Sequence, residues 1–201
     1  MKANRYLLVF ILTLSPIVVV AQQPASQRYE VSGGYSFTRP PLQGEAPRVP
    51  NGATAGFGVK ITTRLAIYGE GGYDWQNERY VTPSNTDTRD HSRTSILGGL
   101  RFFFNNKGRV TPFINGGVGY VRYWTKTSSN GKPGVSFGLT NALFAGGGGV
   151  DIAINRKGTW IWRNTAEIRR VEVGIDRNGD STNGPSFRFT TCIVFKFGKR
   201  H

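Results

Sequence analysis

The chain has 201 residues, a formal net charge of +14 at pH 7 and one cysteine, Cys192. This length fits a single domain, and a lone cysteine excludes an internal disulfide. So strong a positive charge suits a nucleic acid or the phosphates of a lipid surface, and where the charges fall decides between them.

Residues 1–21 are predicted to be a cleavable signal peptide. Lys2 and Arg5 precede an apolar run, and Val19-Val20-Ala21 fits a small-residue cleavage site. A retained membrane anchor is the alternative, but the run is short for a span and Pro16 interrupts it. A secreted chain meets lipid phosphates more readily than nucleic acid.

Eight runs with alternating side chains follow the signal peptide. Because side chains of a strand alternate between its faces, each run predicts a strand with one apolar and one polar face. In the sixth run Phe137 and Leu139 break the parity, which allows a bulge there. The runs are Glu30–Phe37, Ala53–Ile61, Leu65–Trp75, Arg93–Phe104, Val110–Tyr123, Phe137–Ile154, Thr159–Val171 and Ser186–Phe197.

The segments between these runs alternate in length. Short connections are Thr62–Arg64, Asn105–Arg109 and Asn155–Gly158, and long ones are Thr38–Gly52, Gln76–Ser92, Trp124–Ser136 and Glu172–Pro185. Transmembrane barrels of the outer-membrane type have tight periplasmic turns and longer extracellular loops. The pattern therefore predicts an all-β fold, a closed eight-stranded antiparallel up-and-down transmembrane β-barrel, over residues 22–201.

In its signal peptide, amphipathic strands and aromatic-rich last strand the chain resembles small outer-membrane β-barrels of the OmpA, OmpX and opacity-protein type. Thr190, Phe195 and Phe197 match the terminal assembly signal of that family, whereas Cys192 stands at its glycine position and residues 198–201 extend past the last aromatic. The resemblance implies a non-enzymatic monomer in the outer membrane of a Gram-negative-type bacterium, with both termini in the periplasm. It also implies the barrel-assembly machinery as a partner during biogenesis.

The polar faces carry charges that would meet inside the barrel. Because isolated charges are costly in a low-dielectric interior, they are expected to pair and to fill it. The expected neighbours are Glu30 between Lys60 and Lys196, Asp151 near Arg163, Glu167 near Arg188, and Glu70 near Arg101. A plugged interior is preferred over a conducting one, which stays open as a narrow, porin-like alternative.

Two further sets of residues are predicted to contact the membrane. Aromatic residues near the strand ends would form belts at the two interfaces: Phe37, Trp75, Tyr120, Phe104, Trp160, Trp162 and Phe197. Basic residues of the short turns and the C-terminus would form a collar on anionic phospholipid headgroups: Arg64, Lys107, Arg109, Arg156, Lys157, Lys199 and Arg200. Simple solubility of the turns is the competing explanation for the collar.

Motifs for catalysis or metal binding are weak. His91 lies among Asp87, Asp90 and Ser92, but adjacent residues of an extended segment point apart and do not form a triad. Asp176, Asn178 and Asp180 have the spacing of a calcium loop without its glycine or its acidic twelfth ligand. No catalytic residue, metal site or cofactor is predicted.

The sequence therefore predicts a non-enzymatic outer-membrane barrel that acts in envelope integrity or adhesion through its extracellular loops. Its expected partners are phospholipid, lipopolysaccharide and a surface ligand of the loops, with no nucleic acid. A lipid-modifying enzyme and a soluble lipocalin-like barrel remain alternatives; the second would place its apolar face inside.

Overall fold

A computed structural model describes residues 27–39, 51–82, 85–104, 108–129, 132–172 and 185–199, which form one closed barrel of eight antiparallel strands. Each strand pairs with its neighbours in sequence, and β1 pairs with β8. The predicted fold class is therefore confirmed. The strands are β1 (Gln27–Arg39), β2 (Asn51–Lys60), β3 (Leu65–Thr82), β4 (Asn85–Phe103), β5 (Val110–Ser129), β6 (Lys132–Ala153), β7 (Trp160–Glu172) and β8 (Ser186–Lys199).

Among these residues there is no helix long and apolar enough to cross a membrane. The predicted signal peptide, residues 1–21, lies outside the described residues.

The outward face of the barrel is apolar and the inward face is buried. Val31, Phe57, Ile96 and Ile168 alternate with buried neighbours, and Ile96 is 68 % exposed. The faces predicted from parity match this exposure on every strand. Such a surface fits a hydrocarbon environment, because lipid-facing residues of membrane barrels alternate with interior ones.

Two short turns are built by local side chains. Thr62 Oγ1 accepts hydrogen bonds from the backbone N–H of Arg64 at 3.2 Å and of Leu65 at 2.9 Å. In the turn between β6 and β7, Asn155 Oδ1 accepts from Thr159 N–H at 3.0 Å, and Gly158 has a φ of 63°, which favours glycine. These turns define the short-turn end of the barrel.

At the opposite end two of the predicted long loops are strands. β3 and β4 pair continuously as far as Thr82 and Asn85, and β5 and β6 pair as far as Ser129 and Lys132. The loop predictions for Gln76–Ser92 and Trp124–Ser136 were therefore wrong. The other two long connections fall largely on residues 40–50 and 173–184, outside the described residues.

These hairpin extensions continue past the closed part of the barrel. β2 begins opposite Trp75, and β7 ends opposite Ala142. Among the described residues, therefore, only β3 to β6 pair beyond those rows. We call the four-stranded extension, residues 76–82, 85–92, 124–129 and 132–138, the protruding sheet. Its one irregularity within the described pairing is a register shift between Lys126 and Ser128, close to the bulge allowed at residues 137–139.

Candidate functional site

The barrel interior holds three groups of paired charges, and the group nearest the short turns is built around two carboxylates. Glu30 Oε1 accepts hydrogen bonds from Arg101 Nη1 at 2.6 Å and from Arg163 Nη1 at 2.7 Å. Arg163 Nε also donates to Asp151 Oδ1 at 2.6 Å, and Lys196 Nζ donates to Asp151 Oδ2 at 3.2 Å. Arg163 therefore bridges both carboxylates, and we call these five side chains the lower group.

The middle group links four charged side chains and two neutral ones. Glu70 Oε1 accepts from Arg169 Nη2 at 2.9 Å and from Arg188 Nη1 at 2.8 Å. Arg169 also bonds Glu167, at 2.9 Å from its Nε to Oε2. Asn115 completes the group by donating to Glu167 Oε1 at 2.6 Å and to the Tyr68 hydroxyl at 3.1 Å.

The upper group lies towards the protruding sheet. Arg93 Nε donates to Asp74 Oδ2 at 2.7 Å, and Arg93 Nη2 donates to Thr38 Oγ1 at 2.8 Å. Ser36 Oγ donates to the second oxygen of Asp74 at 2.9 Å. The four side chains are buried, so the paired carboxylate and guanidinium occupy the interior at this level.

Buried apolar side chains share the interior with these charges. Tyr68, Leu97, Val121, Leu143, Ala145 and Val171 form one buried cluster, Ala66, Phe103 and Phe113 a second, and Ile161, Cys192 and Val194 a third. The aromatic members also contact the cations: the Arg101 guanidinium lies 4.6 Å from the Tyr68 ring centroid and 5.0 Å from that of Phe113. These apolar residues alternate along the strands in step with the charged residues, and they face the interior for the same reason.

The structure brings the predicted interior residues together, but only partly in the predicted pairs. Asp151 and Arg163 are paired as expected. Glu30 lies opposite Lys196 in the β1–β8 register, yet its carboxylate bonds Arg101 and Arg163. The expected pairing of Glu30 with the two lysines is therefore corrected.

Two other expected pairs differ as well. Glu167 and Arg188 face each other in the register, but Glu167 bonds Arg169 while Arg188 bonds Glu70. Arg169 was expected in the interior without a predicted partner, and it takes the place expected for Arg101 beside Glu70. A long arginine side chain can reach past the residue opposite it on the neighbouring strand. Strand register alone does not show such a contact.

The predicted membrane-contact residues lie at the barrel surface. All of the predicted interface aromatics, Phe37, Trp75, Tyr120, Phe104, Trp160, Trp162 and Phe197, are exposed on the outward face. Of the predicted collar, Arg64, Arg109, Arg156 and Lys157 are exposed at the short-turn end. Lys107 and Arg200 and the side chain of Lys199 lie outside the described residues.

The residues considered for catalysis, Asp87, Asp90, His91 and Ser92, lie on β4 in the protruding sheet. His91 Nδ1 is 3.1 Å from Thr125 Oγ1 on the neighbouring strand of the protruding sheet. Among the described residues no cluster of His, Cys, Asp and Glu could hold a metal ion. Asp176, Asn178 and Asp180 lie outside that part of the chain.

Two exposed cations flank a tryptophan on β5, Lys126 within the protruding sheet and Arg122 at its base. Arg122 and Lys126 are exposed and flank Trp124 on β5, and the Arg122 guanidinium lies 5.1 Å from the Trp124 ring centroid. The ring lies against Gly138, where an added Cβ would be 2.5 Å from it. Asp90 lies opposite Lys126 on β4.

The fold and the sorted faces define a class: small eight-stranded β-barrels of the outer-membrane type. Ail, the attachment invasion locus protein of Yersinia pestis, shares the fold with a TM-score of 0.55 at 14% identity, over 86% of this chain and 99% of that chain. Neisserial surface protein A shares the fold with a TM-score of 0.56 at 15% identity, over 84% of this chain and 97% of that chain. The outer membrane protein OprG from Pseudomonas aeruginosa shares it with a TM-score of 0.55 at 10% identity, over 88% of this chain and 98% of that chain.

At these identities the comparisons show the fold alone, and at that level they confirm the resemblance predicted from the sequence. No protein-family model and no curated protein sequence matches the chain.

Proposed function

We propose that this protein is an outer-membrane barrel, neither a channel nor an enzyme, that binds a partner outside the membrane through its protruding sheet. The role is adhesion or the integrity of the envelope. The pairing of β3 to β6 beyond the closed barrel carries this proposal. It presents a folded, polar surface on a rigid scaffold, the setting in which binding sites commonly occur.

The filled interior supports a barrel without transport. Arg188 and Asp74 are fully buried, and buried apolar clusters pack beside the charged groups. In eight-stranded barrels the interior is just wide enough for side chains. An ion would have to displace paired side chains in order to pass.

The charge of β5 and β6, from the base of the sheet upwards, supports an anionic partner, whereas β3 and β4 of the sheet carry Glu78, Asp87 and Asp90 beside Arg79 and Arg89. Residues 122–141 contain Arg122, Lys126 and Lys132 and no acidic residue. Along residues 132–141, moreover, β6 has a paired strand on one side only within the described part of the chain, and such an edge can accept another strand. A structure of Ail, similar to this chain with a TM-score of 0.56 and 15% identity, holds the heparin analogue sucrose octasulfate.

Binding of sucrose octasulfate to the refolded barrel in detergent micelles tests this partner class. Calorimetry of the wild type is expected to show saturable binding that weakens about tenfold or more in Arg122→Gln/Lys126→Gln, because two charge-assisted contacts are lost. Arg64→Gln/Arg156→Gln, with two exposed cations removed at the other end, is the matched control. Equal affinity in both double variants would remove the protruding sheet as the site.

Conductance in a planar bilayer tests the absence of a channel. The refolded wild type is expected to stay silent at high salt because its interior charges are paired. Steady, reproducible openings would contradict the proposal and would make the interior the active part.

The collar favours a second contact, with anionic phospholipid on the periplasmic side, where we place both termini. Arg64, Arg109, Arg156 and Lys157 are exposed at one end of the barrel. A basic residue near an anionic surface contributes about 1 kcal/mol. Neutralising Arg64, Arg156 and Lys157 is expected to weaken association with phosphatidylglycerol vesicles. Unchanged association would contradict the lipid contact and would leave solubility of the turns as the explanation for these basic residues.

A further inference from the structure

The interior is not neutral throughout, and its unbalanced charge lies at the short-turn end. Lys60 on β2 faces the interior beside the lower group. Four cations therefore share this level, Lys60, Lys196, Arg101 and Arg163, with the two carboxylates of Glu30 and Asp151. The middle and upper groups, by contrast, contain equal numbers of cations and carboxylates.

The two carboxylates are already occupied by other cations. Arg163 Nη2 donates to Glu30 Oε2 at 3.0 Å and to Asp151 Oδ2 at 2.8 Å, in addition to the bonds of the lower group. All four carboxylate oxygens thus accept from Arg101, Arg163 or Lys196. Within the described residues no carboxylate pairs with Lys60.

Lys60 instead shares an aromatic ring with a like charge. Its Nζ lies 5.2 Å from the centroid of the Phe103 ring, and Lys196 Nζ lies 5.8 Å from the same centroid. Two ammonium groups around one buried ring repel each other unless an anion lies between them.

The two lysines lie near the strand ends at the short turns, Lys60 as the last residue of β2 and Lys196 near the end of β8. Lys60 and Lys196 are half-buried, whereas Glu30, Asp151, Arg101 and Arg163 behind them are buried. Within the described residues the carboxylates at this level, Glu30 and Asp151, already accept from Arg101, Arg163 or Lys196. A further anion at the two lysines would therefore come from outside these side chains.

We propose that Lys60 and Lys196, over the ring of Phe103, form a binding site for a phosphate group that enters from the short-turn end. A phosphate has several acceptor oxygens and binds lysine ammonium groups as compact charges. Phe103 and the neighbouring Ala66 and Phe113 form an apolar floor that keeps the anion at the mouth. The site is independent of the protruding sheet.

Inorganic phosphate is the probe, titrated into the full-length refolded barrel in zwitterionic micelles at constant ionic strength, with chloride as the reference salt. Backbone amide NMR is expected to show saturable shifts at residues 59–61, 103 and 195–197 of the wild type. In Lys60→Met the affinity is expected to fall about tenfold or more. This variant breaks no ion pair, so its barrel is expected to keep the wild-type spectrum elsewhere.

Arg39→Gln, which removes an exposed cation at the opposite end of the barrel, is the control and should bind phosphate as the wild type does. Unsaturable shifts in the wild type, or equal affinity in Lys60→Met, would overturn the proposal. Nanodiscs separate the two sources of phosphate. Shifts with free phosphate in phosphatidylcholine discs support a soluble phosphorylated ligand, shifts in phosphatidylglycerol discs without it support a lipid headgroup, and shifts in neither overturn the site.

Discussion

Arg163 is the residue whose loss the interior should tolerate least. Its guanidinium bonds both Glu30 and Asp151, and all three side chains are buried. Arg163→Met would leave two buried carboxylates with one cation each and is expected to destabilise the barrel by about 3–5 kcal/mol, the cost of breaking a buried ion pair from one side. Urea unfolding of the barrel in lipid vesicles, followed by gel mobility, measures it.

The exposed Arg122→Met controls for the loss of a guanidinium and should change stability by less than about 1 kcal/mol. Adding Asp151→Asn to Arg163→Met should recover part of the loss, because the orphaned charge is removed. A loss no larger than that of Arg122→Met would show that the lower group does not hold the barrel together.

Two adjacent glycines on β1 should differ in their response to the same substitution. An added Cβ at Gly34 would lie 2.2 Å from the backbone oxygen of Thr191 and 2.4 Å from Cys192 Cβ, whereas at Gly33 nothing lies within 4 Å. Gly34→Ala is therefore expected to cost about 1–3 kcal/mol as overpacking against the β8 backbone. Gly33→Ala should be neutral, and equal effects of the two in the same unfolding measurement would contradict this packing.

Sequence reasoning predicted the interior at the residue scale only where contacts follow from neighbouring strands. Asp151 and Arg163 are directly paired on β6 and β7, so register was enough. Glu30 and Arg101 lie on β1 and β4 and meet across the interior, because the guanidinium spans the narrow barrel. The alternation of residues along the sequence does not indicate which side chains of non-neighbouring strands meet across the interior.

At the scale of elements, the alternation of apolar and polar residues predicted the strands correctly within the membrane part of the barrel. It did not predict the strands of the protruding sheet. Between Leu65 and Trp75 apolar and polar residues alternate because one face meets lipid. Residues 86–92 are half-buried or exposed on both faces of the protruding sheet, so they pair as a strand without an apolar face. The dipeptide Asn130-Gly131, outside the described residues, is the type that favours two-residue hairpins and was the signal for the second extension.

A proline should dismantle the protruding sheet without affecting the barrel. Thr88 on β4 pairs with Arg79 on one side and Ser128 on the other, and its hydroxyl is hydrogen-bonded to that of Ser128. Proline removes a ladder hydrogen bond and is not accommodated in a central strand. Thr88→Pro is therefore expected to abolish protection from hydrogen exchange in residues 124–129 but not in residues 113–121.

Thr88→Ser keeps both the ladder and the hydroxyl and serves as the control. If residues 124–129 exchange as fast in the wild type as in Thr88→Pro, the extension is a loop in solution. The first prediction from the sequence would then be restored for Trp124–Ser136.

For the whole molecule, the spacing of the aromatic belts gives the height of the membrane part. Phe187 and Phe197, at the two ends of β8, are separated by about 34 Å along the strand, or about 26 Å along the normal at a tilt of about 40°. This agrees with the apolar band of about 25 Å in barrels of this type. Trp75 and Trp160, 42 % and 46 % exposed, lie near the opposite ends of that band.

Depth-dependent fluorescence quenching in lipid vesicles tests this placement. In variants that keep only Trp75 or only Trp160, lipids brominated near the headgroup should quench more strongly than lipids brominated near the chain ends, because both rings lie at interfaces. Phe57→Trp in a tryptophan-free background is the control: Phe57 is 49 % exposed in the middle of β2 and should be quenched most strongly from the chain ends. If the barrel folds in detergent-free buffer and no brominated lipid quenches any of the three positions, the protein is a soluble barrel. Its apolar outward face would then need a protein partner rather than a membrane.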